Sequence, residues 1–413
     1  MACVAMIVWN DCRNDARVLK EAETLQNAGH AVTIFALHTP GVTLENETLP
    51  SGVQVKRISR RPPWSAGRNG GAGRPLKGGK RTFAAQSLHL LSRWWTHCAL
   101  LVRMVASRPD VVHAHDVNTL PTGWLAATFA RAALVYDAHE ISTDREGYRS
   151  FRTAVGWTEK RLMPRAAATI TTTDARAKFF ARAYRIPRPL VLQNRPRLVA
   201  AARTDRIRRE LRLGEPWPIV LYQGGLQQGR GLARLVEAAG QIERAYFVFI
   251  GGGPLAAPLE KQAEAAGLAG RVRFIPTVSL ADLPSYTASA DIGVQPLENT
   301  CLNHLTTDSN KLFEYMMGGL PVVASDLPEI RRIMNEHGFG IAVPPGDTKA
   351  LAQAIQRLLD DEEMRLQLAA NARKAALRIN WEEQEQRLVA LYRKLAGEPV
   401  VRLDRRLEDA LDT

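Results

Sequence analysis

The sequence predicts an α/β protein of two domains, each a doubly wound parallel sheet with helices on both faces. Three observations carry this. The chain has 413 residues, too many for one ordinary hydrophobic core and suited to two of roughly 200 residues each. Short apolar runs alternate with stretches of helical periodicity, the pattern of βαβ units with right-handed crossovers. The alternation breaks once, over residues 192–218, and then restarts.

In the first half, "CVAMIV" (3–8) is the first strand. The amphipathic stretch 16–29 is a helix closed by Gly29. Strands are expected at 31–37 and 53–59, and a Gly/Pro/Arg/Lys-rich loop at 60–81. A long helix at 82–107 follows, then strands at 110–115, 133–139 and 168–173. The segment 192–218 is polar, basic and Pro-punctuated, so it reads as the linker. Beyond it, strands are expected at 218–223, 245–250, 271–276, 291–296, 320–325 and 340–344, with helices between. Residues 347–396 read as nearly all helical, with an apolar stripe at Leu388, Leu391, Tyr392 and Leu395 and with Trp381 as an anchor. The organisation is a first domain over 1–197, a second over 198–379, a closing helix within 380–397 and a loose tail over 398–413.

The net charge of +13 is unevenly placed. Residues 1–197 hold 29 Lys+Arg against 14 Asp+Glu, 29 − 14 = +15, and residues 198–413 hold 26 against 28, 26 − 28 = −2. A basic first half suits an anionic partner, either a phosphorylated metabolite or an anionic membrane face. Nucleic acid is not expected, because no reader helix or stacking motif accompanies the charge. The 4 cysteines, at positions 3, 12, 98 and 301, include no CxxC pair, which favours a reduced, cytoplasmic setting. The N-terminus reads as a strand and not as a signal peptide. No segment reaches the roughly 18 apolar residues that span a bilayer.

Ligands of open α/β sheets bind beyond the carboxyl ends of the strands. After 218–223 come Gly224, Gly225 and, in the same turn, Arg230; after 245–250 come Gly252, Gly253 and Pro254. Two Gly-rich βα turns in one domain suit a nucleotide, since backbone N–H groups and helix N-termini can approach phosphate. Either turn alone reads equally well as a tight connection. No Walker motif is present. In "SNKLFEYMMGGLPVVASD" (309–326), Asp308 or Ser309 is placed to cap a helix. Asn310, Lys311 and Glu314 then lie opposite the apolar face formed by Leu312, Tyr315 and Met316. A carboxylate there can accept two hydrogen bonds from a vicinal diol such as a ribose. The plain alternative is an exposed Lys–Glu helix pair worth about 0.3–0.5 kcal/mol. His113 and His115 end one strand, and one of the two is expected to be mere packing. His304 and His337 are read as surface residues, and Asp326 as a helix cap.

In this order, "DARVLKEAETLQNAGHAVTI" (15–34), "DVVHAHD" (110–116), "VYDAHE" (135–140), "GGLQQGRGL" (224–232), "IGGGPL" (250–255) and "SNKLFEYMMGGLPVVASD" resemble a retaining glycosyltransferase of family 4. The resemblance runs from about residue 4 to residue 396. It implies the GT-B fold: two Rossmann-like domains facing a central cleft, with the C-terminal helix crossing back onto the first. Glu314 corresponds to the second Glu of the family's Glu-x7-Glu motif, which binds ribose; the first falls on Thr306. Arg230 corresponds to the basic residue that binds the donor diphosphate. The family's second phosphate cation falls on Gly225, and Lys311 is the candidate to replace it. Ser309 and Asn310 fall where backbone amides meet phosphate. His139 corresponds to the His near the donor sugar, and His115, Asp116, Arg17 and Glu140 are the expected cleft or acceptor residues.

The resemblance implies transfer from a nucleoside-diphosphate sugar to an acceptor hydroxyl with retention of configuration, in cell-surface polysaccharide or glycolipid synthesis. Arg230, Glu314, His139 and Lys311 are the expected catalytic group. No cofactor and no metal are expected, since Arg230, Lys311 and backbone N–H groups can carry the diphosphate charge. The alternatives are an epimerase of the same fold and a non-catalytic sugar-nucleotide-binding protein. A lipid-linked or phosphorylated acceptor is expected on the basic first domain. Arg81, Leu90, Arg93, Trp94, Trp95 and Arg103 mix cations with aromatics as a membrane-surface helix does, and a plain crossover helix is the alternative. The expected location is cytoplasmic, with peripheral attachment to the inner face of the membrane.

Overall fold

The computed structural model describes residues 1–60, 83–199 and 202–397. The first lobe is an eight-stranded sheet of order β3-β4-β2-β1-β5-β6-β7-β8. Its strands are β1 (Cys3–Ile7), β2 (Ala31–His38), β3 (Asn46–Thr48), β4 (Gln54–Ser59), β5 (Val111–His115), β6 (Ala133–Ala138), β7 (Ala168–Thr171) and β8 (Leu190–Val191). Between them run α1 (Ala16–Asn27), α2 (Phe83–Ala106), α3 (Leu120–Ala130), α4 (Arg152–Leu162) and α5 (Asp174–Tyr184). All pairings are parallel except β3 with β4. β3 is a polar three-residue edge strand, too short to show a period in the sequence.

The second lobe is a six-stranded parallel sheet of order β11-β10-β9-β12-β13-β14. It contains β9 (Ile219–Gln223), β10 (Tyr246–Ile250), β11 (Val272–Ile275), β12 (Ile292–Gln295), β13 (Val322–Ser325) and β14 (Gly340–Val343). Its helices are α6 (Arg206–Leu211), α7 (Leu232–Gly240), α8 (Ala256–Ala265), α9 (Leu283–Thr287), α10 (Leu302–Leu305), α11 (Asn310–Met317), α12 (Pro328–His337), α13 (Thr348–Asp360) and α14 (Glu362–Ala376). β9 and β10 are buried along their whole length, as strands covered by helices on both faces must be. Two apolar clusters, one per face, form this lobe's core. Strand order reverses at β1/β5 in one sheet and at β9/β12 in the other, which puts the two crevices at those strands' carboxyl ends.

The last helix, α15 (Trp381–Leu395), returns to the first lobe, as the resemblance implies. Trp381, Leu388 and Tyr392 are fully buried in the core beneath β1, β2 and α1. Leu391 and Leu395 pack against the same cluster. The Trp381 indole N–H donates to Thr24 Oγ1 at 2.9 Å, and its backbone N–H donates to Pro196 O at 2.8 Å. The segment expected as a linker is therefore strapped down where it leaves the first lobe. Arg197 there pairs with Glu23 on α1 and with Glu385 on α15, at 2.9 and 3.2 Å.

Of the expected 60–81 loop, residues 61 onward lie outside the described residues, as do Arg81 and the tail 398–413. Among the described residues no helix is long and apolar enough to cross a membrane. The four cysteines are free.

Trp381→Ala is expected to destabilise the first lobe by about 3–5 kcal/mol, the cost of truncating a large buried aromatic. The control is Leu366→Ala at a site 57% exposed, where the change stays within about 0.5 kcal/mol. Chemical denaturation followed by tryptophan fluorescence measures the first and circular dichroism both.

Candidate active site

The carboxyl ends of both sheets open on one cavity of about 540 Å³, walled on one side by Arg17, His139, Glu140 and Arg176 and on the other by Arg230, Ser309, Asn310, Lys311 and Glu314. Groups far apart in sequence thus meet across the cleft.

On the second-lobe wall, α11 starts at the cavity. Ser309 precedes it with φ +49° and makes no side-chain cap. Asp308 does not cap it either: its Oδ2 accepts from Gln193 Nε2 at 2.8 Å. The expected capping role is corrected on both residues: Ser309, at φ +49° and ψ 124°, makes no cap bond, and Asp308 is engaged by Gln193 of the first lobe. Glu314 is held in place. Its Oε2 accepts from Gln223 Nε2 at 2.7 Å, and Gln223 Oε1 in turn accepts from Thr287 Oγ1 at 2.8 Å. This is not the exposed helix pair of the alternative reading, because Gln223 at the tip of β9 orients the carboxylate.

Lys311 crosses over Gly224. A Cβ on Gly224 would lie 2.6 Å from Lys311 Cε, and the backbone there has φ +122°, so no side chain is accommodated. Burial and then the charge of Arg230 push the Lys311 ammonium down to about 8, with Glu314 opposing. Two cations therefore share one corner of the cavity. Gly225, Gly252, Gly253 and Pro254 stand exposed at the tips of the same two turns. The second Gly run has an additional cause beyond ligand approach. A Cβ on Gly251 would lie 2.1 Å from Gly224 O, and one on Gly253 2.4 Å from Leu226 O. The two turns touch backbone to backbone, bonded through Leu226 N to Gly252 O at 3.0 Å.

On the first-lobe wall, His139 follows β6. Its Nε2 lies 2.9 Å from Asp137 Oδ2, and its Nδ1 lies 3.9 Å from Asp116 Oδ2. Burial alone would lower this imidazole, but the Asp116 and Asp137 carboxylates outweigh it and push it up to about 10. His139 is a cation at neutral pH. Asp116, with φ +61°, also faces Arg145 at 3.6 Å, and Arg145 reaches Glu140 at 3.5 Å.

Several expectations are corrected here. Arg17 is not a free cleft cation. It is buried, with Nε and Nη2 donating to Asp137 at 2.7 and 2.8 Å and Nη1 to Leu192 O at 2.6 Å. His115 is 2% exposed and lies behind His139. His113 and His115 do not divide between inside and outside either. Two residues apart on a strand, they share a face, and both are buried with rings stacked at 4.3 Å. Thr306 is engaged with Arg176 Nε at 3.3 Å. Of the two histidines read as surface residues, His304 is half-buried and His337 is partly covered. Asp326 pairs with Arg331 and does not cap α12.

Several site residues were not singled out in the sequence. Asp137 lies two positions before His139 on the same strand face, a spacing that points to it. Gln223 is the one polar residue of an apolar strand. Arg176 and Asn303 left no signal. Both bridge the lobes: Arg176 donates to His139 O at 2.6 Å and Asn303 O at 3.1 Å, while Asn303 exchanges hydrogen bonds of 2.7 and 3.0 Å with the Ile141 backbone. Glu21, His113, His115 and Asp137 each bring one ligand-type atom within 4.8 Å of the others. Arg17 already occupies both carboxylates, at 3.0 Å from Glu21 and 2.7 Å from Asp137, so the cluster is an ion-pair network built around a guanidinium.

Residues 15–196 match the family described as glycosyl transferase 4-like domain, and residues 203–375 match glycosyl transferases group 1. The alpha-D-kanosaminyltransferase of Streptomyces kanamyceticus is 32% identical over 228 residues, 52% of this chain and 57% of that protein. The chain thus spans little more than half of that relative. The phosphatidyl-myo-inositol mannosyltransferase of Mycolicibacterium smegmatis is 26% identical over 390 residues, 92% of this chain and 90% of that one. Anabaena Alr3699/HepE, solved in complex with UDP-glucose, superposes with a TM-score of 0.72 at 18% identity, covering 95% of this chain and 100% of that chain. Two matched halves, two parallel sheets and a returning last helix lead to one family: this chain belongs to the family 4, group 1 glycosyltransferases of GT-B fold.

Proposed function

We propose that the protein transfers a glycosyl group from a nucleoside-diphosphate sugar to an acceptor hydroxyl with retention at the anomeric carbon. The observation that carries this reading is the meeting of Arg230, Lys311 and the α11 N-terminus with Glu314 and the His139 cation around one cavity. Glu314 is set for the ribose diol. Arg230 and Lys311 are set for the diphosphate, where negative charge grows as the bond from sugar C1 to phosphate oxygen breaks. The acceptor oxygen then bonds to C1 on the same face, and its proton passes to the departing phosphate oxygen. His139 is protonated at neutral pH and so acts as a hydrogen-bond donor and a positive charge, not as a base. The kanosaminyl- and mannosyltransferase relatives support transfer over the epimerase and binding-protein alternatives.

The acceptor belongs on the first lobe. Arg145, Arg152 and Arg176 border a second cavity of about 840 Å³ that adjoins the donor cavity at Glu140 and Arg230, which suits a phosphorylated or polyhydroxyl acceptor. A groove of about 410 Å³ lies along α2 and α3, lined by Trp94, Leu101, Val117 and Leu125, and suits the apolar chain of a lipid-linked one. Leu90, Leu91, Trp94 and Val102 of α2 are more than 60% exposed. With Arg93 and Arg103 they support peripheral contact with an anionic membrane from the cytoplasmic side.

Three outcomes test the reading. Glu314→Ala is expected to weaken nucleoside-diphosphate binding about 10–100-fold by calorimetry, the loss of a charged acceptor of two hydrogen bonds. Equal affinity in the variant would remove the ribose assignment. Binding of the same ligand should weaken as pH rises through about 8, because Lys311 then loses the proton that attracts the diphosphate; Lys311→Met should bind more weakly at pH about 7 and lose that limb. Trp94→Glu should reduce cosedimentation with anionic vesicles, with no change expected on neutral ones.

A further inference from the structure

Behind His139 stands a buried polar column that transfer chemistry does not require. His113 Nδ1 lies 2.9 Å from the Tyr392 hydroxyl on α15. The His113 ring stacks on His115, and His115 Nδ1 lies 3.3 Å from both Asp137 Oδ2 and His139 Nε2. Glu21 Oε2 lies 3.7 Å from His113 Nε2. Glu21 Oε1 is ion-paired with Arg17 at 3.0 Å, while Glu21 Oε2, His113 Nε2 and His115 Nε2 are buried with no hydrogen-bond partner among the described residues. Each such group costs stability, and apolar side chains of similar size would fill the space without that cost. The column has one end at the cleft, His139, whose side chain is 20% exposed.

We propose that Asp137 is the positioning residue for His139, and that Arg17 and His115 hold the Asp137 carboxylate in place behind it. Asp137 accepts a hydrogen bond from the Nε2–H of His139, so Nδ1–H is the edge presented to the donor, and the ring keeps a full positive charge. This rests on reading the cleft as the donor site. Asp137 accepts from Arg17, His115 and His139 together, three donors on one carboxylate, which fixes its rotamer from three elements. The groups facing His139 are Asp137 from β6, His115 from β5, Asp116 beyond β5, Arg17 and Glu21 from α1, and Arg176 from α5, which bonds its backbone oxygen. With Arg145 drawing on Asp116, the carboxylate nearest the ring is that of Asp137.

The test uses the full chain labelled with ¹⁵N-histidine, with His139 assigned by the signal missing from His139→Gln. In the wild type, His139 is expected to stay doubly protonated at pH about 8. In Asp137→Asn it should be neutral there. With a nucleoside-diphosphate sugar, Asp137→Asn should lower kcat about 100-fold while donor KM moves less than about threefold, and the pH profile should gain a descending limb at neutral pH. His115→Asn keeps a donor at the Nδ1 position and should retain kcat within about threefold, whereas His115→Ala should lose about tenfold. That pair carries the test if Asp137→Asn does not fold. A His139 that stays cationic in Asp137→Asn, or equal rates in the two His115 variants, would overturn the positioning role. A wild type with no transfer from any nucleotide sugar, but with the expected His139 titration, would instead overturn the functional reading and leave the positioning intact.

Discussion

The cleft depends on a charge that is expensive to bury. Asp137 is 0% exposed, and an isolated carboxylate at such depth would normally neutralise. Burial acts in that direction here, yet Arg17, His139 and His115 together hold Asp137 well below the usual carboxylate range. Arg17 reaches it from α1 and also ties Leu192, the residue where the chain leaves the first sheet. One guanidinium therefore fixes the position of α1, the tip of β6 and the exit of the chain toward the second lobe. Removing one partner of such a buried pair typically costs about 3–5 kcal/mol, so the network is structural as well as functional.

Across the cleft the design differs. The first lobe presents groups whose charges are already paired. The second presents Arg230 and Lys311 close enough for one to depress the other's proton affinity. Two mutually repelling cations beside a helix N-terminus suit a dianionic ligand. The contacts of Asn303 with Ile141, and of Gln193 with Asp308, close the lobes at the side of this corner. Closure of this kind excludes water and strengthens every charge inside.

Much of this was legible in the sequence for a physical reason. Parallel strands covered on both faces are continuous apolar runs, so the strands expected at 3–8, 218–223 and 245–250 stood out; a strand end located Arg230, the polar side of the helix within 309–326 located Lys311 and Glu314, and the family resemblance pointed to His139. Pairing within the buried network was less visible. Nothing in "ARVLKEAE" tells that Arg17 points inward while Lys20, three residues on, reaches Asn194 at 2.9 Å, because helical period gives the face and not the partner. The Gly run at 251–253 looked like a ligand loop, and part of it answers instead to a neighbouring turn's carbonyls. The lobe-bridging Asn303 sits in a four-residue helix whose position only the assembled fold defines.

The return of α15 also sets an order of events during synthesis. Trp381, Leu388 and Tyr392 belong to the core of the lobe that leaves the ribosome first. That lobe waits with an open apolar seat over α1 while the whole second lobe is translated. The core of the amino-terminal half is thus completed only by residues translated after the whole second lobe.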